Sequence, residues 1–167
     1  IWILEHPITY TAGVSFNQKE ILDKKIEIIK TNRGGKITLH NPGQKIVYFV
    51  INLNNRKKDI RKFINVIENS IIQFLKTYKI KAKKDKKNIG IWVKKNKIAA
   101  IGIRVSRWIA YHGCAINISN NLNQYLKIVP CGLNNRKVTS IFNEKKIKLK
   151  NFENKLAMIF MENIFKI

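Results

Sequence analysis

Acidic side chains are scarce in this chain: ten Asp and Glu stand against 33 Lys and Arg, a formal charge of +23. With only Asp23, Asp59 and Asp85 as aspartates and no GxSxG elbow, a Ser-His-Asp site is disfavoured. Cysteine is as sparse. Cys114 and Cys131 are too few for a disulfide framework, form no CxxC pair, and suit a reducing cytosol. The three histidines, His6, His40 and His112, have no metal-ligand spacing, so no metal is expected. No apolar run reaches the roughly 18 residues of a membrane span. The first residues lack the basic start and small-residue cleavage site of a signal peptide. Neither GxxxxGK[ST] nor GxGxxG occurs, so the two common phosphate-cradling loops are missing and no cofactor is expected.

What is present suits one folded unit. The 167 residues are 45% hydrophobic, enough for a substantial core, and a single domain over 1–167 is expected. The basic excess is nearly all Lys, mixed with abundant Asn and Ile, the residues an AT-rich genome encodes most readily. Composition drift therefore accounts for it as well as a ligand does. Two functional readings of the charge stay open: a nucleic-acid partner and an acidic protein partner. An RNA-binding sheet interleaves aromatic with basic residues on a strand face, and no segment does so here.

Periodicity predicts a strand-rich α/β (α+β) fold, a mixed sheet packed by two main helices. Residues 1–5 read as a strand ending at His6-Pro7 and residues 9–13 as a turn. A helical turn is expected within 17–25, and short strands over 26–30 and 36–40. The apolar, β-branched run 45–53 reads as a buried strand. From Asp59 to Tyr78 the period changes to three and four, marking a helix of about five turns capped by Asn55 or Asp59. Strands follow at 80–84, 91–93 and 97–105, the last two around a turn at 94–96, and then at 108–112 and 114–118. A second helix covers 152–165.

Few residues carry chemical promise. Arg33-Gly34-Gly35 is either a plain turn or a loop whose bare backbone approaches a ligand. A lone His beside a strand end is more often a hydrogen-bonded structural group than a base. Cys131, between Pro130 and Gly132, is expected in a loop, where a thiol can be exposed and a neighbouring cation would lower its pKa. Cys114 reads as a small apolar filler.

Four blocks, taken together, resemble the octanoyltransferases of lipoate synthesis, relatives of the lipoate- and biotin-protein ligases. The first is Glu5-His6-Pro7 with Tyr10-Thr11-Ala12-Gly13. The second is RGGKITLHNPGQ over 33–44. The third is KIAAIGIR over 97–104 with Tyr111-His112-Gly113, and the last is Pro130-Cys131-Gly132-Leu133. The match spans nearly the whole chain and begins at the family's first core strand, so the resemblance implies an upstream helical segment, in keeping with the absent initiator Met.

The resemblance implies acyl transfer by a Cys/Lys pair. Cys131 would take octanoyl from octanoyl-acyl carrier protein as a thioester, then pass it to a lysine of a lipoyl domain. The acceptors would be 2-oxoacid dehydrogenases and the glycine cleavage H protein. Lys97 would stabilise the thiolate and handle the proton of the attacking amine. Arg33, Gly34, Gly35, Lys36, Ile37, Thr38, Leu39 and His40 would line the acyl pocket, with Ala100, Ile101, Gly102, Gly113, Cys114 and Ala115 completing it. Tyr10 and His112 are further candidates. At about 0.8 kcal/mol per buried methylene, an apolar tunnel suffices to hold an eight-carbon tail.

Three positions depart from the family pattern: Asn41 for Gly, Val129 for Asn, and Cys114 for a larger apolar residue. Asn41 is expected to take over the left-handed geometry of a glycine. The nearest competing reading is an ATP-dependent lipoate-protein ligase, which has no need of a thiol at 131. A basic nucleic-acid-binding module is the non-enzymatic alternative.

Overall fold

Strand-forming segments and one strongly amphipathic helix dominate the architecture. A computed structural model describes residues 1–56, 58–85, 88–130 and 137–167. The strands are β1 (Trp2–Leu4), β2 (Thr9–Ala12), β3 (Ile28–Lys30), β4 (Ile37–His40), β5 (Gln44–Asn52), β6 (Lys83–Lys84), β7 (Ile91–Val93), β8 (Asn96–Ser106) and β9 (Ile109–Asn117). The helices are α1 (Ile60–Thr77), α2 (Ile141–Lys145) and α3 (Glu153–Phe165). Six strands form an antiparallel sheet in the order β1-β5-β9-β8-β7-β6. The other three form a small sheet, β3-β2-β4, parallel on one side and antiparallel on the other. The mixed character expected of the fold thus belongs to the smaller sheet.

Helix α1 forms because its apolar residues share one stripe. Phe63, Ile67, Ile71, Phe74 and Leu75 are fully buried, while Arg61, Lys62 and Lys76 face out. Asp59 caps it by accepting the Lys62 N–H at 2.9 Å. It ends where Lys79 turns left-handed (φ 56°) and the Ile80 N–H reaches back to the Leu75 carbonyl. With α3 it covers one face of the large sheet, and Phe49 of β5 meets Phe63 and Phe160 at ring distances of 6.3 and 5.4 Å. Each such side chain contributes about 1.5–3 kcal/mol by burial. A smaller apolar cluster of Tyr10, Ile37, Leu39, Tyr125 and Ile128 sits under the small sheet.

Three expectations need correcting. Residues 9–12 are a strand rather than a turn, because β2 has β3 and β4 to pair with on its two edges. Residues 109–117 are one unbroken strand. Gly113 does not divide it: it lies opposite Tyr48 of β5 and Gly102 of β8, where a Cβ would overlap the Val47 carbonyl oxygen. The strand expected at 80–84 shrinks to Lys83–Lys84. Helix α2, capped by Ser140, was not anticipated.

Candidate functional site

Between the small sheet and β8–β9 lies a cleft of about 680 Å³. Its position follows from side-chain size. Across the β8–β9 ladder Ala100 faces Ala115 and Gly102 faces Gly113, so two adjacent strands offer almost no side chain. The 33–35 loop settles on this bare stretch: a Cβ on Gly34 would lie 2.6 Å from the Ile103 carbonyl oxygen, and one on Gly102 would lie 3.1 Å from that of Gly34. Arg33 pins the loop to β2, donating from Nη2 to the Thr11 carbonyl at 2.7 Å and from Nε to Thr11 Oγ1 at 3.2 Å.

Most of the sequence-derived candidates converge here. Arg33, Gly34, Gly35, Lys36, Ile37, Thr38, His40, Lys97, Ala100, Ile101, Gly102, His112, Gly113, Cys114 and Ala115 all line the cleft. Two do not. Leu39 is fully buried in the cluster beneath the small sheet, and Tyr10 is buried beside it with its hydroxyl donating to the Gln124 carbonyl at 3.0 Å. Cys131 lies outside the described residues. Lys36 lines the cleft with its ammonium tied to the buried Glu20 carboxylate at 3.0 Å.

Sequence reasoning missed several lining residues, among them Tyr48, Ile64, Asn88 and Ile89. They come from β5, α1 and the loop before β7, and no local pattern marks them. Among the described residues no carboxylate lines the cleft, whereas all three histidines of the chain do. His6 meets the Tyr48 hydroxyl at 2.8 Å and lies 5.9 Å, ring to ring, from His40. Burial pushes His40 down to about 4, with Arg33 and His6 acting the same way and its bond to Gln44 opposing them. Burial, then Arg33 and Arg104, lowers His112, whose Nε2 is 2.6 Å from Asn32 Oδ1. Cys114 is fully buried, and burial pushes its thiol up, so it stays protonated.

Lys97 is only 6% exposed. Its Nζ donates to the Ile89 carbonyl at 3.0 Å and stands 4.8 Å over the Trp92 ring. Its backbone N–H donates to the Lys137 carbonyl, and its carbonyl accepts from Thr139, both at 2.9 Å. Lys97, Pro130 and Val138 share a recess of about 10 Å³ with Thr38, Ala100 and Ala115. The approach to Pro130 is fixed as well, since the Val129 N–H donates to the Glu20 carbonyl at 2.7 Å.

Beneath the cleft runs a buried amide network. His40 Nδ1 is 2.8 Å from Gln44 Oε1, and Gln44 Nε2 donates to Asn117 Oδ1 at 2.8 Å and to the Tyr125 hydroxyl at 2.9 Å. Those donors assign the proton on the His40 ring to Nδ1. Asn117 in turn donates to the Thr139 carbonyl at 2.9 Å. Asn41 joins through Asn120 and the Asn121 carbonyl, both at 2.9 Å. It is not left-handed, contrary to expectation; Gly43 takes that role (φ 83°).

The arrangement of sheets is shared with solved enzymes. A bipartite lipoate protein ligase from Thermoplasma acidophilum, solved as part of a study with its E2 lipoyl domain, superposes with a TM-score of 0.74. The match covers 98% of this chain and 70% of that one, and at 13% identity it speaks for the fold alone. The fold is therefore that of the lipoate-protein-ligase class of catalytic domains. Residues 1–161 match the lipoyl protein ligase A/B catalytic domain, and the chain belongs to that family. An octanoyltransferase from Wolbachia sp. subsp. Brugia malayi is 43% identical over 172 residues, covering 100% of this chain and 82% of the relative. An octanoyltransferase from Bartonella tribocorum is 44% identical over 157 residues, which cover 86% of this chain and 64% of that relative.

Proposed function

We propose that this chain transfers an octanoyl group from octanoyl-acyl carrier protein to a lysine of lipoyl domains, through a thioester on Cys131. The observation that carries the reading is the placement of Lys97. It lines a largely apolar cleft to which no described residue brings a carboxylate, and Pro130 and Val138, on either side of the 131–136 stretch, both touch the recess it lines. The names of the relatives support octanoyl transfer, and the thiol at 131 favours it over an adenylating ligase.

In the first step the Cys131 thiolate, stabilised by the Lys97 ammonium, attacks the donor thioester. A new C–S bond forms, the old one breaks, and the carrier leaves as a thiol with the proton of the Lys97 ammonium, which leaves Lys97 a neutral amine. In the second step the acceptor amine attacks the enzyme thioester. An amide forms, Cys131 leaves as thiolate, and the amine's proton passes to Lys97. The acyl tail rests on Ile46, Ile64, Ile101 and Ile103, where its burial contributes several kcal/mol at about 0.8 kcal/mol per methylene. A thiol nucleophile of this kind suits the reducing cytoplasm.

Intact-protein mass spectrometry after mixing with octanoyl-acyl carrier protein tests the reading. The expected result is one octanoyl adduct that hydroxylamine removes and Cys131→Ser lacks, with turnover down about 10³-fold or more. A folded protein that gains no adduct, or a Cys131→Ser variant at wild-type rate, removes the thioester step. Octanoate incorporation that requires ATP would then identify a ligase.

A further inference from the structure

The ammonium of Lys97 is held by groups that the proposed reaction does not use. In the β7–β8 hairpin Val93 pairs with Asn96 and Trp92 with Lys97, but Ile91 pairs with Ala99. The ladder thus slips by one residue at Ile98, a bulge of the kind that re-aims a side chain. Directly opposed residues share a face, so the indole and the lysine stem meet. Trp92 is 2% exposed, and its indole N–H donates to the Asn88 carbonyl at 3.1 Å, which fixes the ring plane. Asn88 is itself fixed, its N–H donating to Asp85 Oδ1 at 3.1 Å.

The second hold is the peptide joining Ile89 to Gly90. Its carbonyl accepts from Lys97 Nζ, and its N–H faces the carboxylate of Glu68, a buried acid on α1 that also lies 3.7 Å from Lys84 Nζ. Only glycine fits at 90. Its φ is +132°, and a Cβ there would stand 3.0 Å from Lys97 Cε and 3.2 Å from Nζ.

We propose that Trp92 and the Ile89–Gly90 peptide are positioning groups for Lys97, a cradle of ring face and carbonyl that fixes where its ammonium meets the reacting thioester. The inference rests on the function proposed above. Trp92 does not line the cleft and the Ile89 carbonyl is engaged by Lys97 Nζ, so both act through Lys97. A filler role for Trp92 would need only its volume, whereas a cradle needs the negative face of the ring.

The test uses Trp92→Phe and Trp92→Leu, read by octanoyl transfer to a lipoyl domain and by labelling of Lys97. Labelling is acetylation with a succinimidyl ester, followed by peptide mapping. Trp92→Leu is expected to lower kcat about tenfold, a size that a desolvated cation–π contact allows, with KM for the donor within twofold. Lys97 labelling should rise severalfold in the same protein. Trp92→Phe should restore most of both. Equal losses in the two variants, or unchanged labelling in a folded Trp92→Leu, overturn the cradle.

Should Trp92→Leu fail to fold, fluorinated tryptophans serve instead, because they keep the ring's shape and drain its face of charge. A stepwise fall in kcat and rise in Lys97 labelling with fluorine number supports the proposal, and a flat series sinks it. Wild-type protein without transfer activity would overturn the octanoyltransferase reading alone, since the labelling series still decides the cradle.

Discussion

His40 shows what the cleft demands of single residues. Its ring is held down to about 4 in the folded protein, against 6.5 when free. Between those values the unfolded chain takes up a proton that the folded chain refuses. Stability present above pH 6.5 is therefore lost as pH falls toward 4, by roughly 3 kcal/mol in all. In His40→Gln this part of the slope should vanish. Urea midpoints at pH 7 and 4.5 check it: an equal drop in both proteins would place the acid sensitivity elsewhere. The motif that drew attention to His40 was readable, because Gly34, Gly35, His40 and Gln44 all serve the cleft or its support. Leu39 and Tyr10 were not distinguishable from lining residues, since alternation along a strand does not say which face meets the cleft. Trp92 was within reach. A two-residue turn at Lys94 and Lys95 places it opposite Lys97, whereas the three-residue turn expected at 94–96 shifts the register by one.

At the scale of elements, α1 was legible from end to end because an amphipathic stripe is a local signal. Its cap makes a modest prediction: Asp59→Ala should cost about 1 kcal/mol, measured by thermal or urea unfolding, and leave acyl transfer intact. No change would mean that the exposed cap is replaced by water. The strand β9 was misread because glycine usually marks a break, and here it marks the close approach of β5. Gly113→Ala is thus expected to destabilise by more than about 4 kcal/mol, within the exceptional tail for single substitutions. A soluble Gly113→Ala protein with a wild-type melting temperature would show that the sheet yields. The division into two sheets was invisible as well, because β2 finds partners from positions 28–30 and 37–40, and pairing across chain distance leaves no trace in local alternation.

For the whole molecule, the charge of +23 gives a prediction that separates drift from use. If the acyl carrier docks through it, affinity should fall severalfold between 50 and 500 mM salt as the Debye length shortens from about 14 to 4 Å. An affinity insensitive to salt would assign the lysine excess to composition. No described helix is long and apolar enough to cross a membrane.

Against that charge, the network that runs from His40 to Thr139 is built of neutral side chains. Asn41, Gln44, Asn117, Asn120 and Tyr125 join His40 to the 139 backbone, and through it to Lys97, by amide and hydroxyl groups. Neutral dipoles neither titrate near neutrality nor attract counterions. Ionic strength that loosens the surface pairs of Lys45 with Glu5 and Glu153 leaves this frame untouched. Changes in surface charge thereby leave the link between His40 and the Lys97 backbone unaltered.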